Sequence, residues 1–268
     1  MRALTRPEVT RQLRDLGVTE GSVLQVHTSF RAVRPVEGGP EGLIDALLGA
    51  VGPAGTMVMP SWPDNTEHGF DPTADPADPD LGVVADLFWR RSDAARNDHP
   101  AAFAAIGPDA AAVLRDPLAL PPHEARSPVG RVRDLGGQVL LLGVGHDANT
   151  TIHLAELEAG VRYRRPKQCT VVRDGALVTI EYGENDHCCS RFNLVDEWLD
   201  AAAVQARGPV GQAEARLVPA RELVEIVSER LREEPDFFLH PRGSDCRQCE
   251  EAWSSLEKIG APHTVSPA

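Results

Sequence analysis

Residues 139–156 constrain this chain more than any other stretch. Val139 to Leu142 form a short apolar run, Gly143 and Gly145 interrupt it, and His146, Asp147 and Asn149 lead into the segment TTIHLAELEA. A brief apolar run bounded by glycine reads as a buried strand, and an asparagine just ahead of a periodic segment reads as a helix cap. A strand that ends at glycine and passes imidazole and carboxylate groups to a helix start is the junction at which α/β proteins build active sites.

The helix start carries its own chemistry. With Asn149 as the cap, His153 falls in the first turn and shares a face with Glu156 three residues on. The positive end of the helix dipole disfavours an imidazolium, so His153 is expected to stay neutral and basic near pH 7. The backbone amides and hydroxyls of Thr150 and Thr151 are placed to receive a developing oxyanion. His146 and Asp147 are expected to support these groups from behind.

Helix and strand signals alternate along the rest of the chain. Helices are expected at 7–16, 41–51, 83–91, 108–115, 150–159, 190–205 and 220–233, with strands at 22–27, 56–60 and 138–143. Asp174-Gly175 marks a hairpin turning 169–172 back onto 176–182. The Pro/Asp-rich stretch from Pro63 to Asp80 has no apolar periodicity, and a loop that long inside a compact domain is a lid or a binding wall. Asp64, Glu67 and Asp71 are its candidate contacts for a ligand ammonium. The pattern predicts one α/β domain over 1–268, with a mixed central sheet flanked by helices, a smaller lobe within 60–130 and an irregular cysteine-bearing tail over 234–268.

The 27 basic residues are outnumbered by 40 acidic ones, a formal charge of −13. That balance argues against nucleic acid and suits a polycationic ligand. No apolar stretch is long enough to span a membrane, and the N-terminal segment reads as a charged amphipathic helix, so a cytoplasmic protein is expected. Five cysteines, an odd number with two adjacent, disfavour a disulfide framework. Cys246 and Cys249 have the spacing of a zinc half-site, with His187 and Cys188 as the expected second half and Cys189 or His240 as alternatives. Four protein ligands leave no open position, so such a zinc would be structural. No phosphate-binding loop is present, and RDLGGQ at 133–138 ends in Gln138 where the acyl-CoA loop of GNAT acetyltransferases wants Gly or Ala. Two rival readings remain on these grounds: a zinc hydrolase using His146, His153 and Glu156, and a protein that only sequesters a polycation.

Five blocks in order resemble the aminoglycoside 3-N-acetyltransferases of the antibiotic N-acetyltransferase family: VLQVHTSF at 23–30, GPAGTMVMPSW at 52–62, DLGVVADLFWR at 80–90, RSPVGRV at 126–132, and the junction at 140–156. ENDHCC at 184–189 and DCRQC at 245–249 make it most similar to the type IV branch, which modifies gentamicin and apramycin. The resemblance covers roughly residues 7–252. It implies a non-GNAT fold, acetyl-CoA as cosubstrate and acetylation of the 3-amine of a 2-deoxystreptamine antibiotic, conferring resistance. It also implies that His27, Thr28, Ser29, Phe30, Arg31, Ser127, Val129, Thr150 and Thr151 line the cofactor path, with Arg34, Arg126 and Arg131 offering charge for phosphates.

Under that chemistry His153 is the general base, and Glu184, Asp186 or Glu156 orients it or holds the substrate amines. Glu184 and Asp186 sit at alternate positions of an extended segment and so face one way. Direct transfer in a ternary complex is expected, because a covalent route needs an activated thiol and Cys169 has no motif around it. The acidic pair expected at 66–67 is Thr66-Glu67 here, so substrate preference transfers less well than chemistry. A different amine metabolite is the alternative acceptor. The oligomeric state is not legible.

Overall fold

The apolar run at 139–142 is buried completely, and the main sheet is built around it. The computed structural model describes residues 2–115 and 118–260. In chain order the elements are α1 (Arg6–Leu16), β1 (Val23–Thr28), α2 (Phe30–Val33), α3 (Gly39–Val51), β2 (Thr56–Pro60), α4 (Gly82–Trp89), β3 (Ala95–Arg96), β4 (Phe103–Ile106), α5 (Ala110–Val113) and α6 (Pro128–Asp134). They continue with β5 (Gln138–Leu142), α7 (Thr151–Ala159), β6 (Arg165–Arg173), β7 (Ala176–Glu184), α8 (Val195–Ala201), β8 (Ala206–Val210), β9 (Ala213–Pro219), α9 (Ala220–Glu233) and α10 (Arg247–Gly260).

Seven strands form the sheet in the order β3-β4-β2-β1-β5-β9-β8, and β6-β7 form a separate hairpin. The centre is parallel, β1 pairing with both β2 and β5, while each flank is antiparallel. Successive side chains of a strand point to opposite faces. Val139 and Leu141 join a core with residues of α6, α7 and α9, whereas Leu140 and Leu142 join a second core with residues of α1, α3 and α4. The result is a sheet sandwiched between two helical layers, a mixed α/β fold as the sequence pattern predicts. On β1, Val23 belongs to the first core and Leu24 and Val26 to the second. Alternation therefore turns Gln25 and His27 toward the α7 side, which brings β1 into the site.

The central strands and longer helices fall where the sequence places them. The differences lie at the periphery. β3, β4, β8 and β9 were not expected: β8 and β9 carry charged residues, and a proline each, and lack the continuous apolar signal of a buried strand. Residues 60–130 supply β3 and β4 to the main sheet. The segment 190–205 divides into a 3-10 turn at Cys189–Leu194 and the shorter α8. Instead of an irregular tail, residues 247–260 form α10. Among the described residues no helix is long and apolar enough to cross a membrane.

Candidate active site

The strand-to-helix junction is held by steric and hydrogen-bond constraints that start at Gly143. Its φ is 72°, and a Cβ there would meet Ala32 Cβ at 2.6 Å, so only glycine lets the chain leave β5 in this direction. A 3-10 turn at His146–Ala148 follows. Asn149 Oδ1 then accepts the Thr151 N–H at 3.0 Å, capping α7, while Asn149 Nδ2 donates to His146 Nδ1 at 3.1 Å. His146 Nε2 donates to Gln205 Oε1 at 2.8 Å and lies 3.3 Å from Asp196. The buried His146 thus supports the cap that positions the helix and, with it, His153.

One turn further, His153 Nδ1 is 2.7 Å from Glu156 Oε2. Glu156 is fully buried, and its other oxygen accepts from His187 Nε2 at 2.7 Å and from Tyr163 OH at 2.5 Å. Burial alone would raise the Glu156 pKa, but the two imidazoles bring it down to about 2. Phe192 packs edge-on against His153 with ring centroids 5.1 Å apart, and Cys189 Sγ lies 3.6 Å from His153 Nε2. Burial opposes protonation of His153, yet Cys189 and the Glu156 carboxylate outweigh it and hold the imidazole well above its ordinary pKa. The expectation that the helix dipole keeps His153 neutral is therefore corrected. A full buried negative charge at hydrogen-bond distance exceeds the fractional charge of a helix end.

His153 opens onto a cavity of about 310 Å³, also lined by His27, Thr28, Trp62, Asp80, His123, Asp147 and Thr150. Behind this lining the buried Gln25 Nε2 contacts Thr150 Oγ1 at 3.0 Å, Thr151 Oγ1 at 3.3 Å and His27 Nε2 at 3.0 Å. Burial, with a smaller contribution from His146, lowers the His27 pKa to about 4. His123 stacks on His153 with centroids 5.6 Å apart and occupies the left-handed region at φ 67°.

The remaining nominated residues are distributed unevenly. Ser29 caps α2 by backbone position, Phe30 packs against the α1/α3/α4 core and Arg31 is exposed on α2. Ser127 begins α6 and is buried, while Val129 lies in the α7-side core and does not line the cavity. Glu184 borders a small gap shared with His153, Pro121 and Pro122, and burial pushes its carboxyl up from the ordinary value. Its carboxylate makes no hydrogen bond or ion pair among the described residues, while its backbone pairs with Arg165 in the hairpin. Asp186 instead pairs with Arg165 at 2.6 Å and Lys167 at 2.5 Å.

Asp64, Glu67 and Asp71 are exposed and absent from the cavity lining, with Asp71 turned onto Thr73. Asp80, at the far end of the same loop, does line the cavity, as Asp147 does from the α7 side. Sequence reasoning missed Asp80, His123 and Trp62 as lining residues, since only the fold brings this loop and residues 118–125 over α7. The loop is pinned by Arg96, which donates to the Asp75 carbonyl at 2.6 Å and lies over the Phe70 and Trp89 rings.

His187, expected among the metal ligands, is taken by Glu156 and by the Cys188 carbonyl at 3.0 Å. The donors that converge are Cys188, His240 and Cys246, whose ligand atoms all lie within 4.8 Å of one another, with Cys249 in contact with Cys246. His146, His153 and Glu156 do not converge in this way: His146 is engaged by Asn149 and Gln205, and the other two bond each other.

Comparison with known proteins agrees with this geometry. Residues 25–232 match the family model described as aminoglycoside 3-N-acetyltransferase. Aminoglycoside N(3)-acetyltransferase IV of Salmonella sp is 56% identical over 236 residues, 88% of this chain and 90% of its own length. Aminoglycoside N(3)-acetyltransferase VII of Streptomyces paromomycinus is 33% identical over 83% of this chain and 90% of its own. The crystal structure of the aminoglycoside acetyltransferase AAC(3)-IVa apoenzyme superposes with a TM-score of 0.93 at 54% identity, covering 95% of this chain and 98% of that one. A histidine-to-alanine mutant of AAC(3)-IVa in complex with a gentamicin has the same TM-score at 53% identity and the same coverage. With its sheet order, its His153–Glu156 pair in α7 and this likeness over most of its length, the chain belongs to the aminoglycoside 3-N-acetyltransferase family of acyltransferases.

Proposed function

We propose that the chain transfers the acetyl group of acetyl-CoA to the 3-amino group of a 2-deoxystreptamine aminoglycoside, directly and within a ternary complex, and so confers resistance to the drug. The observation that carries this reading is His153 at the cavity wall, with Nδ1 fixed by Glu156, so that Nε2, beside Cys189 Sγ, is the nitrogen that takes a proton. In this mechanism the neutral amine attacks the thioester carbon and its proton passes to His153 Nε2. The carbonyl electron pair moves to oxygen near the Thr150 N–H, which finds no acceptor among the described residues. The C–S bond then breaks and the CoA thiolate takes the proton from His153. Asp80, Asp147 and Glu184 are the carboxylates nearest this path that can meet substrate ammonium groups. The gentamicin complex of the related AAC(3)-IVa mutant supports a drug of this class as acceptor.

The test is a thiol-release assay with acetyl-CoA, using gentamicin, apramycin and a no-amine control, with mass spectrometry to place the acetyl group. Aminoglycoside-dependent CoA release is expected, and His153→Ala should lower turnover by about 10²–10⁴-fold while leaving drug binding in place. No release with either drug would shift the acceptor to another amine. Full activity in His153→Ala would remove the base from the mechanism.

We propose in addition that the chain holds a structural zinc. Three thiols and one imidazole from Cys188, His240, Cys246 and Cys249 make a donor set that fits zinc and leaves no open coordination position. Bound there, zinc would fasten α10 to the segment after β7 and take no part in acyl transfer.

A further inference from the structure

The thioester oxygen needs a donor that is in place before the amine attacks. At the start of α7 the Thr151 N–H goes to Asn149 Oδ1, which leaves the Thr150 N–H as the backbone donor and calls for a second one beside it, while Gln25 Nε2 donates to Thr150 Oγ1 at 3.0 Å. Gln25 Nε2 is a donor only, and it also faces His27 Nε2 at 3.0 Å, so that ring nitrogen presents its lone pair. The neutral ring then carries its proton on Nδ1. Nδ1 has no protein partner among the described residues, and it is not one of the fully enclosed unpartnered atoms, so it is open to the cavity that His27 lines.

We propose that His27 is a catalytic residue, its Nδ1–H donating a hydrogen bond to the acetyl thioester oxygen and holding the oxyanion opposite the amine that His153 deprotonates. This rests on the acetyl-transfer reading above. The His27 proton stays on Nδ1 throughout: the amine nitrogen bonds to the acetyl carbon, the carbonyl pair moves to the held oxygen, the amine proton goes to His153 Nε2, and the pair returns as the C–S bond breaks. Burial keeps His27 neutral across the working pH range, with a pKa of about 4, and a neutral imidazole donates without surrendering its proton. Gln25 is the positioning residue that fixes the tautomer.

Two readouts test this apart from the overall reaction. His27→Ala should lower kcat by about 10²–10³-fold with little change in the KM of either substrate, while His27→Asn, whose amide nitrogen stands near the Nδ1 position, should recover much of the loss. Independently, difference infrared spectra of carbonyl-labelled acetyl-CoA bound without amine should show the thioester stretch lowered in the wild type and returned toward its solution position in His27→Ala. A raised KM for acetyl-CoA with kcat intact, or a thioester stretch indifferent to the substitution, would reduce His27 to a lining residue. Wild-type protein that releases no CoA with any aminoglycoside would instead sink the acetyl-transfer reading itself, and the infrared shift would still report on His27.

Discussion

Glu156 is the residue on which the site turns. One carboxylate oxygen fixes the ring of His153, and the other is held by His187 and Tyr163, so the base is oriented by a group that cannot itself rotate. A base acts only when deprotonated, and this environment raises the His153 pKa. The acidic limb of kcat/KM should therefore lie above the ordinary imidazole value of about 6.5, with activity rising as the pH rises through it. Glu156→Gln removes the charge that favours the imidazolium, so the limb should move to lower pH while kcat falls by about 10²-fold or more. A pH–rate profile of both proteins checks the two effects together. An unmoved limb would mean that Glu156 does not set the titration of His153. The His153–Glu156 pair was legible from spacing three apart on a helix. Its supports were not, because His187 and Tyr163 reach Glu156 through the fold. Asp186 shows the converse error: it shares an extended segment with Glu184, but Arg165 and Lys167, also unreadable as neighbours, claim its carboxylate.

At the scale of elements, the N-terminus of α7 is the unit that function selects. Asn149 caps the helix, and His146 holds the Asn149 amide in the orientation that keeps its oxygen on the Thr151 N–H. Asn149→Ala should cost about 0.5–2 kcal/mol in urea unfolding. It should also lower kcat more than that loss of stability suggests, since the first turn carries His153. Unchanged turnover at the lower stability would separate the cap from catalysis. The cap was readable because asparagine before a periodic segment is a local signal. The central strands were readable because they are largely apolar, as burial on both faces demands, with Gln25 and His27 of β1 as polar exceptions that serve the site. The antiparallel flanks were not: β8 and β9 gain their stability from pairing and from one covered face, and charged side chains on the other mask the pattern.

For the molecule as a whole, the cysteines bear on how the C-terminal helix is held. Cys188 and Cys246 lie far apart in sequence and meet beside His240. Elemental analysis should find one zinc per chain. Its removal by a strong chelator should lower the melting temperature by about 5 °C or more, with Cys246→Ser behaving alike. Metal-free protein of undiminished stability would leave the cluster as free thiols. Part of this was legible, since the spacing of Cys246 and Cys249 is local. The identity of the imidazole was not, because His187 and His240 look equivalent until Glu156 takes the first.

The sheet order has a consequence for how the protein comes into being. β5, which delivers the chain to the active site, is hydrogen-bonded on one side to β1 and on the other to β9, with Leu24 opposite Gln138 and Leu141 opposite Arg216. Each pairing closes a very long loop of chain, and such non-local parallel and antiparallel contacts form slowly. During synthesis the edge of β1 must wait for β5, and the edge of β5 must wait for β9. A nascent chain released or paused before residue 219 would thus expose its most apolar strand as a bare edge, which is the condition under which chains of this kind adhere to one another. The yield of folded protein should therefore rise with the speed at which residues 143–219 follow β5 during synthesis.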